Sequence, residues 1–334
     1  MPRALRHEYP GAVYHIMARG DGGKTIFETD DDCKLFLHRM GQVCESHGWR
    51  IHAWVLMGNH FHLLLETPEP NLVLGMKALL GPFSMAWNRQ RMRRGHVFQG
   101  RYKSIPVSAA TDSPYYFRIA ADYIHLNPAR AGLAGGSKGS LLKYKWSSLP
   151  DYKRGSGPDW LVRKRLLDAF ELSRDGRGRN AYVAWMEQRA KDGAKGISDE
   201  AIKALKRGWY LGEPGFGDKL RDLLKAGGGD ELARDPAYRQ HDESEAERLL
   251  LEGKKILDLP SEMDGLAKLR KGDERKVLIA GLIKGRTSVG NAWVARRLSM
   301  GHPSSVSRLI KGLKVTKKGR GLLDELEKKL ETIR

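Results

Sequence analysis

A short histidine motif, His60-Phe61-His62, lies inside the run WVLMGNHFHLLLE at residues 54–66. Two apolar segments flank a Gly-Asn pair in this run, which predicts a strand, a tight turn and a returning strand. Because successive side chains on a strand point to opposite faces, the two histidines share one face and Phe61 anchors the other. Two imidazoles about 7 Å apart on one rigid strand can hold a divalent cation, although an isolated triplet of this kind also arises by chance.

A second pattern occurs later in the chain, in YIHLNP at residues 123–128. Tyr123 and Asn127 are four residues apart, which places them on one face of a helix, one turn apart. Pro128 is expected to end that helix at or just after Asn127. The spacing brings a phenol that can act as a nucleophile close to an amide oxygen that can bind a metal.

The composition indicates a folded protein with a polyanionic partner. The chain has 334 residues, a formal net charge of +19 and a pI near 9.9. This basic excess favours nucleic acid over a membrane, because no stretch approaches the roughly 18 apolar residues of a membrane span. The start, MPRALRHEYPG, has no apolar segment, so we expect no secretory signal. Cys33 and Cys44 are too few for a disulfide framework or a metal cluster.

The pattern of apolar residues predicts an α+β fold for the first 133 residues. We predict strands at 11–19, 49–57, 60–66 and 96–107, and helices at 30–48, 71–92 and 112–133. The order β-α-β-β-α-β, followed by a helix, is that of the ferredoxin-like split unit, in which an antiparallel sheet carries helices on one face. The rest of the chain is predicted to be mostly helical.

Changes in composition divide the chain into four predicted regions. Residues 1–150 form the domain that carries both motifs, and residues 151–226 form a helical extension. Residues 227–247 are glycine-rich and then acidic, which is typical of a linker. Residues 248–334 are helical and basic, and a short glycine-containing turn between 291–298 and 303–313 predicts a helix-turn-helix. An ordinary helical hairpin has the same pattern.

The two motifs and the predicted order of elements resemble the single-tyrosine transposases of the IS200/IS605 type, which belong to the HUH nuclease superfamily. The resemblance extends to HGWRIHAWVLMGNHFHLLLE, VFQGRYKSI and YIHLNPARAGL, and it covers about residues 8–150. The ending YIHLNP, the segment WSSLPDY and the long C-terminal region resemble the branch called REP-associated tyrosine transposases.

This resemblance implies a function and the residues that perform it. His60, His62 and Asn127 are expected to hold Mg²⁺ or Mn²⁺, and Tyr123 to attack phosphorus and form a 5′-phosphotyrosine. The reaction would cleave and rejoin single-stranded or hairpin DNA, palindromic repeats included, without ATP. The family also implies a bacterial protein of the cytoplasm and nucleoid, acting as a monomer or a homodimer.

Basic and aromatic residues in both halves of the chain are candidates for DNA contacts. In the basic segment 89–103, Phe98 and Tyr102 are interleaved with cations and are predicted to stack bases of a single strand. A solvated helix end is the alternative explanation for the cations. The predicted DNA contacts are Arg19, Arg89, Arg91, Arg93, Arg94, Phe98, Arg101, Tyr102, Lys103, Arg308 and Lys311.

Several assignments have competitors. Tyr102, Tyr115 and Tyr116 compete with Tyr123, but none of them has an asparagine four residues later. Glu66 shares the strand face of the two histidines, so it either approaches the metal or ends the strand in solvent. His125 is expected to be a structural residue or a DNA contact.

Three other functions start from the same sequence. A metallohydrolase begins with His-x-His on a strand, but it needs further His and Asp ligands where this chain has three leucines. A DNA-binding regulator would read duplex DNA through the C-terminal helices and keep an idle nuclease site. An RNA-binding module would carry aromatic residues where this chain has the histidine motif.

Overall fold

Four strands form one antiparallel sheet in the computed structural model. They are β1 (Ala12–Arg19), β2 (Arg50–Met57), β3 (His60–Thr67) and β4 (Lys103–Pro106). Their spatial order is β2-β3-β1-β4, which is that of the ferredoxin-like split unit. The predicted α+β fold class is therefore confirmed.

The structure describes residues 7–110, 114–193, 197–226, 236–287 and 289–332. The chain divides into an N-terminal unit of residues 6–226 and a second unit that is formed mainly by residues 227–334. The sheet and both sequence motifs belong to the N-terminal unit. No helix of the described residues is long and apolar enough to cross a membrane.

Two helices, α1 (Asp30–His47) and α2 (Leu72–Gln90), cover one face of the sheet. Thr29 and Asp32 form a capping box at the start of α1. The Phe36 ring of α1 lies 4.7 Å from the Phe61 ring of β3 and 5.3 Å from the Phe83 ring of α2, centroid to centroid. Phe61 therefore anchors β3 in the core, as its position between the two histidines predicts.

A third helix, α3 (Tyr115–His125), covers the opposite face of the sheet. It contacts β2 and β3, and its Tyr123 ring meets His62 on the face away from Phe61. Helices therefore lie on both faces, whereas the sequence predicted them on one. The reason is that α3 follows the βαββαβ unit and packs on the face that this unit leaves open.

Proline and glycine residues explain two differences from the predicted elements. The helix breaks at Leu126, and Pro128 lies in the first turn of α4 (Asn127–Arg130), where its missing N–H costs little. The predicted fourth strand at 96–107 forms only at its end, because Gly95 and Gly100 have φ of 98° and 63°, which interrupts extended backbone.

The helical extension after residue 140 packs against the N-terminal sheet. Its helices are α5 (Leu149–Arg154), α6 (Lys164–Ala169), α7 (Gly176–Lys191), α8 (Asp199–Arg207) and α9 (Pro214–Ala226). Ser147 forms a bridge with Val55, and Leu161 forms one with Ile51, so the extension covers part of the outer edge of β2.

In the described residues of the second unit, all regular secondary-structure elements are helices. It contains α10 (Pro236–Ile256), α11 (Met263–Lys268), α12 (Glu274–Arg286), α13 (Asn291–Arg297), α14 (Pro303–Val315) and α15 (Lys317–Thr332). The predicted linker at 227–247 is helical from Pro236 onward, and residues 227–235 lie outside the described residues. Helices α13 and α14 contact each other, but the helix-turn-helix stays a prediction.

Candidate active site

Three histidines from two neighbouring strands meet on the sheet face that α3 covers. The rings of His60 and His62 have centroids 5.0 Å apart. His15 of β1 stacks on His62, and its Nε2 lies 2.8 Å from Nδ1 of His62. We call His15, His60 and His62 the histidine cluster. Sequence reasoning missed His15, because it is a lone histidine in GAVYHIMAR and its partner is 47 residues away.

Tyr123 of α3 packs against the histidine cluster. Its ring centroid lies 5.5 Å from that of His62 and 5.7 Å from that of His15, with both rings edge-on. One turn later, Asn127 donates from Nδ2 to the Tyr123 carbonyl oxygen at 3.1 Å. The Asn127 side chain also interacts with the side chains of His60 and Tyr123. The structure thus brings together all four residues of the two sequence motifs.

The competing tyrosines lie elsewhere. Tyr115 and Tyr116 pack on each other at the start of α3, with ring centroids 5.1 Å apart, and Tyr115 is exposed. Tyr102 is half-buried and packs against the hydrophobic core. Tyr123 is the tyrosine that the fold presents to the histidine cluster, which agrees with the choice made from the Tyr-x-x-x-Asn spacing.

Burial keeps the histidine cluster uncharged. It lowers the pKa of His15 to about 4 and the pKa of His62 well below its usual value. Burial also lowers the pKa of His60, and the charge of Arg19 lowers it further. Neutral imidazole is the form that binds a metal. Burial raises the pKa of Tyr123, so the phenol holds its proton at neutral pH.

The donors of this site fit a divalent cation. Nδ1 of His60 lies 2.7 Å from Oδ1 of Asn59, and an amide oxygen only accepts, so Nδ1 carries the proton and Nε2 the lone pair. Nδ1 of His62 lies 2.8 Å from Nε2 of His15; where Nδ1 of His62 is the donor of this hydrogen bond, its Nε2 carries the lone pair that a ligand needs. No group of three His, Cys, Asp or Glu suited to a metal occurs in the described residues. The amide of Asn127, whose side chain interacts with that of His60, offers a further oxygen donor at this site.

Helix α8 lies over the histidine cluster. The backbone of Leu205 is close enough to His15 to affect its pKa, although Nδ1 of His15 has no hydrogen-bond partner of regular geometry. The charge of Lys206 contributes to the lowered pKa of His62. His62 is 2% exposed and Tyr123 is 5% exposed. His62 and Tyr123 are therefore covered by protein, whereas His60 is half-buried.

Polar contacts with the extension hold α3 in place. His125 lies between Tyr182 and Ser148, with 2.7 Å from Nδ1 to the Tyr182 hydroxyl and 2.7 Å from Nε2 to Ser148 Oγ. The neighbouring Asp122 forms an ion pair of 3.2 Å with Arg189, although burial raises the pKa of Asp122 to about 7. His125 is thus a structural residue, and α7 fixes the helix that presents Tyr123.

A second polar group lies further along the same face of β3. Glu66 accepts hydrogen bonds from Arg50 at 3.0 Å and His52 at 2.9 Å, and it also pairs with Arg165. We call these four residues the glutamate cluster. Their ionic hydrogen bonds keep the pKa of Glu66 at about 2 although burial works in the opposite direction. Glu66 is buried, so the expectation of a solvated residue at the end of a strand is wrong.

The predicted DNA contacts fall into different environments. Arg19 is exposed and lies opposite His60 in the pairing of β1 with β3. Arg130, which was not predicted, is also exposed and has its guanidinium carbon 5.3 Å from the centre of the Tyr123 ring. These two arginines border the site. The predicted residues that are exposed elsewhere are Arg89, Arg93, Arg94, Arg101, Lys103, Arg308 and Lys311.

Some members of the segment 89–103 are engaged within the protein. Arg91 forms ion pairs with Asp32 at 2.7 Å and with Glu28 at 3.1 Å, and Arg93 lies over the Trp87 ring. Arg91 is therefore a structural residue rather than a free DNA contact. Lys103 donates to the carbonyl oxygen of Lys206.

Phe98 does not have the role predicted for it. It is 7% exposed and packs between Phe61 and Phe83, with ring centroids 6.0 Å and 5.9 Å away. Stacking on a base would require it to leave the core. Tyr102 also packs against the core. Both cysteines are buried and free.

Residues 9–126 match the protein family described as "Transposase IS200 like". This segment is therefore similar to IS200-like transposases. The family assignment supports transposase-like cleavage of DNA, and the matched residues include the histidine cluster and Tyr123. Asn127 directly follows the matched segment.

A solved structure of the REP-associated tyrosine transposase bound to a REP hairpin is similar to this chain at 19% sequence identity. The match has a TM-score of 0.38 and covers 48% of this chain and 92% of the other. At that TM-score the likeness carries no argument, so the REP-associated branch remains a prediction. No curated protein matches the chain.

Proposed function

We propose that the IS200-like domain cleaves and rejoins single-stranded or hairpin DNA in a metal-dependent reaction. The observation that carries this proposal is the packing of Tyr123 against His62 within a buried, uncharged histidine cluster. IS200-like transposases generally depend on a divalent metal. His60, His62 and Asn127 would hold Mg²⁺ or Mn²⁺ here. When bound, the cation polarises the scissile phosphate and stabilises the charge that develops on it.

Tyr123 is the proposed nucleophile. Its hydroxyl oxygen forms a bond to phosphorus, the bond to the 3′ oxygen breaks, and the departing oxygen ends with a proton as a 3′-hydroxyl. The other DNA end remains on Tyr123 as a 5′-phosphotyrosine. Because the phenol is protonated at neutral pH, its proton leaves as the new bond forms. Arg130 and Asn127 favour the ionised oxygen, since both lower the pKa of Tyr123 against the effect of burial.

The reaction is reversible without ATP, because the phosphotyrosine keeps a phosphoester bond. A free 3′-hydroxyl from the same or another DNA end attacks the phosphorus and releases Tyr123. Arg19 and Arg130 are placed to contact phosphates next to the scissile one. The proposed partner is DNA that is single-stranded or folded as a hairpin, with palindromic repeats as the form that the REP-associated branch would use.

We assign different roles to the predicted regions. Residues 1–150 perform the chemistry, with residues 151–226 as a helical extension. Residues 248–334 bind duplex DNA, with Arg308 and Lys311 of α14 exposed for phosphate contacts. The whole protein is proposed to act in the bacterial cytoplasm at the nucleoid, as a monomer or homodimer.

The proposal is tested with a hairpin oligonucleotide that carries single-stranded flanks. Mg²⁺ or Mn²⁺ should support cutting and EDTA should abolish it, and a covalent protein–DNA adduct should appear on denaturing gels. Tyr123→Phe removes only the hydroxyl, so it should form no adduct, and mass spectrometry should locate the wild-type adduct on Tyr123. The matched control Tyr115→Phe, on the same helix, should form the adduct normally.

Two results would contradict this function. Full cutting in EDTA would exclude the metal, and an adduct on Tyr115 or Tyr116 would exclude Tyr123 as the nucleophile. Absence of cutting together with tight duplex binding would favour a DNA-binding regulator with an idle site.

A further inference from the structure

The extension contains a basic cavity that is separate from the histidine cluster. Its volume is about 340 Å³. Leucine and valine side chains form part of its wall, and four cationic side chains form the rest. The lining residues are Gly155, Leu161, Val162, Arg163, Lys164, Leu167, Arg174 and Arg179. None of the lining residues is acidic.

The positive charge of this basic cavity is only partly compensated by carboxylates. Arg174 is neutralised by Asp168 through two hydrogen bonds of 2.7 Å. Within the described residues, Arg163, Lys164 and Arg179 form no salt bridge. Asp151 and Asp168 act on Arg163 and Lys164 through their charge but without a salt bridge. A net positive charge therefore remains, and it attracts an anion because partial burial strengthens the field.

Two buried guanidinium nitrogens in the cavity wall have no partner. Nη1 of Arg163 and Nε of Arg179 are buried without a hydrogen-bond partner. Leaving such donors unsatisfied is unfavourable, above all for charged groups, and native proteins rarely do so without a ligand or water. Arg179 lies tightly against Gly155, where a Cβ atom would come within 2.4 Å of the guanidinium carbon. The glycine therefore makes room for this arginine.

The cavity lies at the end of β2 that is remote from the active site. Its residue Leu161 forms a bridge with Ile51, whereas Met57 at the other end pairs with His60. Six residues of strand separate these two points, which corresponds to about 20 Å. A group bound in the cavity is therefore distinct from the scissile phosphate, but both lie within reach of one DNA strand.

We propose that this basic cavity binds a backbone phosphate of the DNA strand that flanks the cleavage site. The inference rests on the proposed function, because it takes the substrate of the histidine cluster as the source of the phosphate. Guanidinium groups are suited to the ligand, since their N–H groups pair with two phosphate oxygens at once. A free phosphate or pyrophosphate ion has the same chemistry, and the experiment separates the two sources.

The test compares hairpin oligonucleotides whose single-stranded flanks are either too short or long enough to span about 20 Å. Their affinities are measured by fluorescence anisotropy over a range of salt concentrations, with wild type and Arg163→Gln/Arg179→Gln. For the long flank, the variant should bind about tenfold more weakly, and the slope of log K against log salt should fall by about 1.4, which is 0.7 for each lost contact. For the short flank, affinity and slope should not change.

The matched control is Arg177→Gln/Lys191→Gln, which removes the same charge from exposed positions of α7 outside the cavity. An equal loss in this control, or an equal loss with both flanks, would overturn the inference, because only the general charge of the extension would then matter. The unchanged short-flank affinity also reports that the variant is folded.

A third measurement follows the binding of pyrophosphate by calorimetry. If the cavity variant loses pyrophosphate binding but keeps its long-flank affinity, the site takes a free ion and the DNA assignment is wrong. If pyrophosphate weakens the binding of the long-flank hairpin but not that of the short-flank hairpin, the ion and the DNA phosphate share one site, which would support the inference. These are binding measurements, so they remain valid even if no covalent adduct forms and the proposed cleavage fails.

Discussion

The histidine cluster and the glutamate cluster are two buried polar groups on one face of the same sheet, and they differ in how their hydrogen bonds are satisfied. In the glutamate cluster, both oxygens of Glu66 and both ring nitrogens of His52 have protein partners. In the histidine cluster, His15 and Asn59 occupy one ring nitrogen each of His62 and His60. Nε2 of His62 has no hydrogen-bond partner among the described residues, and the other polar neighbour of His60 is the Asn127 side chain, itself a proposed ligand.

This difference separates a structural polar group from a functional one. A buried group that finds its partners inside the protein contributes to stability and holds elements together. A buried group whose neighbours orient it but leave an atom open is prepared for a ligand. Exposure and residue type do not distinguish the two clusters, since both contain buried histidine.

The largest effect is expected from His62→Ala, which removes a proposed metal ligand. We expect hairpin cutting to fall by more than about 100-fold, beyond the 10–100-fold that loss of an outer partner costs. The folded structure should persist, because the substitution leaves no unpaired charge. The control His38→Ala, at an exposed position of α1, should cut like wild type. Equal cutting by both variants would show that His62 is not needed for the reaction, so the histidine cluster would not differ in function from the glutamate cluster.

A smaller effect is expected from His15→Ala, which leaves the His62 ring without its orienting partner. Cutting should fall by about 10–100-fold. Part of this loss should be recovered at higher Mn²⁺ concentration, since the ligands themselves remain. His15→Gln, which can still hydrogen-bond His62, should lose less. A loss that neither added metal nor glutamine reduces would mean that His15 serves only to pack the sheet.

The smallest effect on cutting is expected from Glu66→Gln, whose effect should appear in stability instead. Loss of the carboxylate leaves three donors without their charged partner and should lower the free energy of unfolding by about 3 kcal/mol. The control Glu69→Gln, at an exposed position, should change it little. Cutting per folded molecule should stay the same.

The stability difference between wild type and Glu66→Gln should also depend on pH. The folded-state pKa of Glu66 is about 2, below its usual value of 4.5, so the ionised form stabilises the native state. The difference should be complete above pH 4.5 and should fade as the pH falls towards 2. Urea unfolding at a series of pH values measures it. A difference that does not change with pH would show that Glu66 acts through packing rather than charge.

The parts of the fold that local sequence specifies were predicted well. The hairpin of β2 and β3 follows from alternation and a Gly-Asn turn, and these also place His60 and His62 on one face. Tyr123 and Asn127 stay within one turn of each other although the helix breaks at Leu126, so the proximity predicted from their spacing is present.

Other parts depend on contacts that no local pattern reports. His15 meets His62 only through the pairing of β1 with β3. Glu66 pairs with Arg165, which lies 99 residues later in the sequence. Phe98 was assigned to DNA because it lies among cations, but apolar partners on β3 and α2 compete for it and hold it in the core.

The burial of Tyr123 has a consequence for the order of events in the proposed reaction. A covered nucleophile cannot react on first collision with DNA, so an opening step must precede chemistry. At saturating DNA the observed rate of adduct formation should then level off at the rate of opening, however reactive the phosphate is. In the proposed reaction the same burial would protect against unproductive cutting, since DNA that binds too briefly would depart before Tyr123 is uncovered.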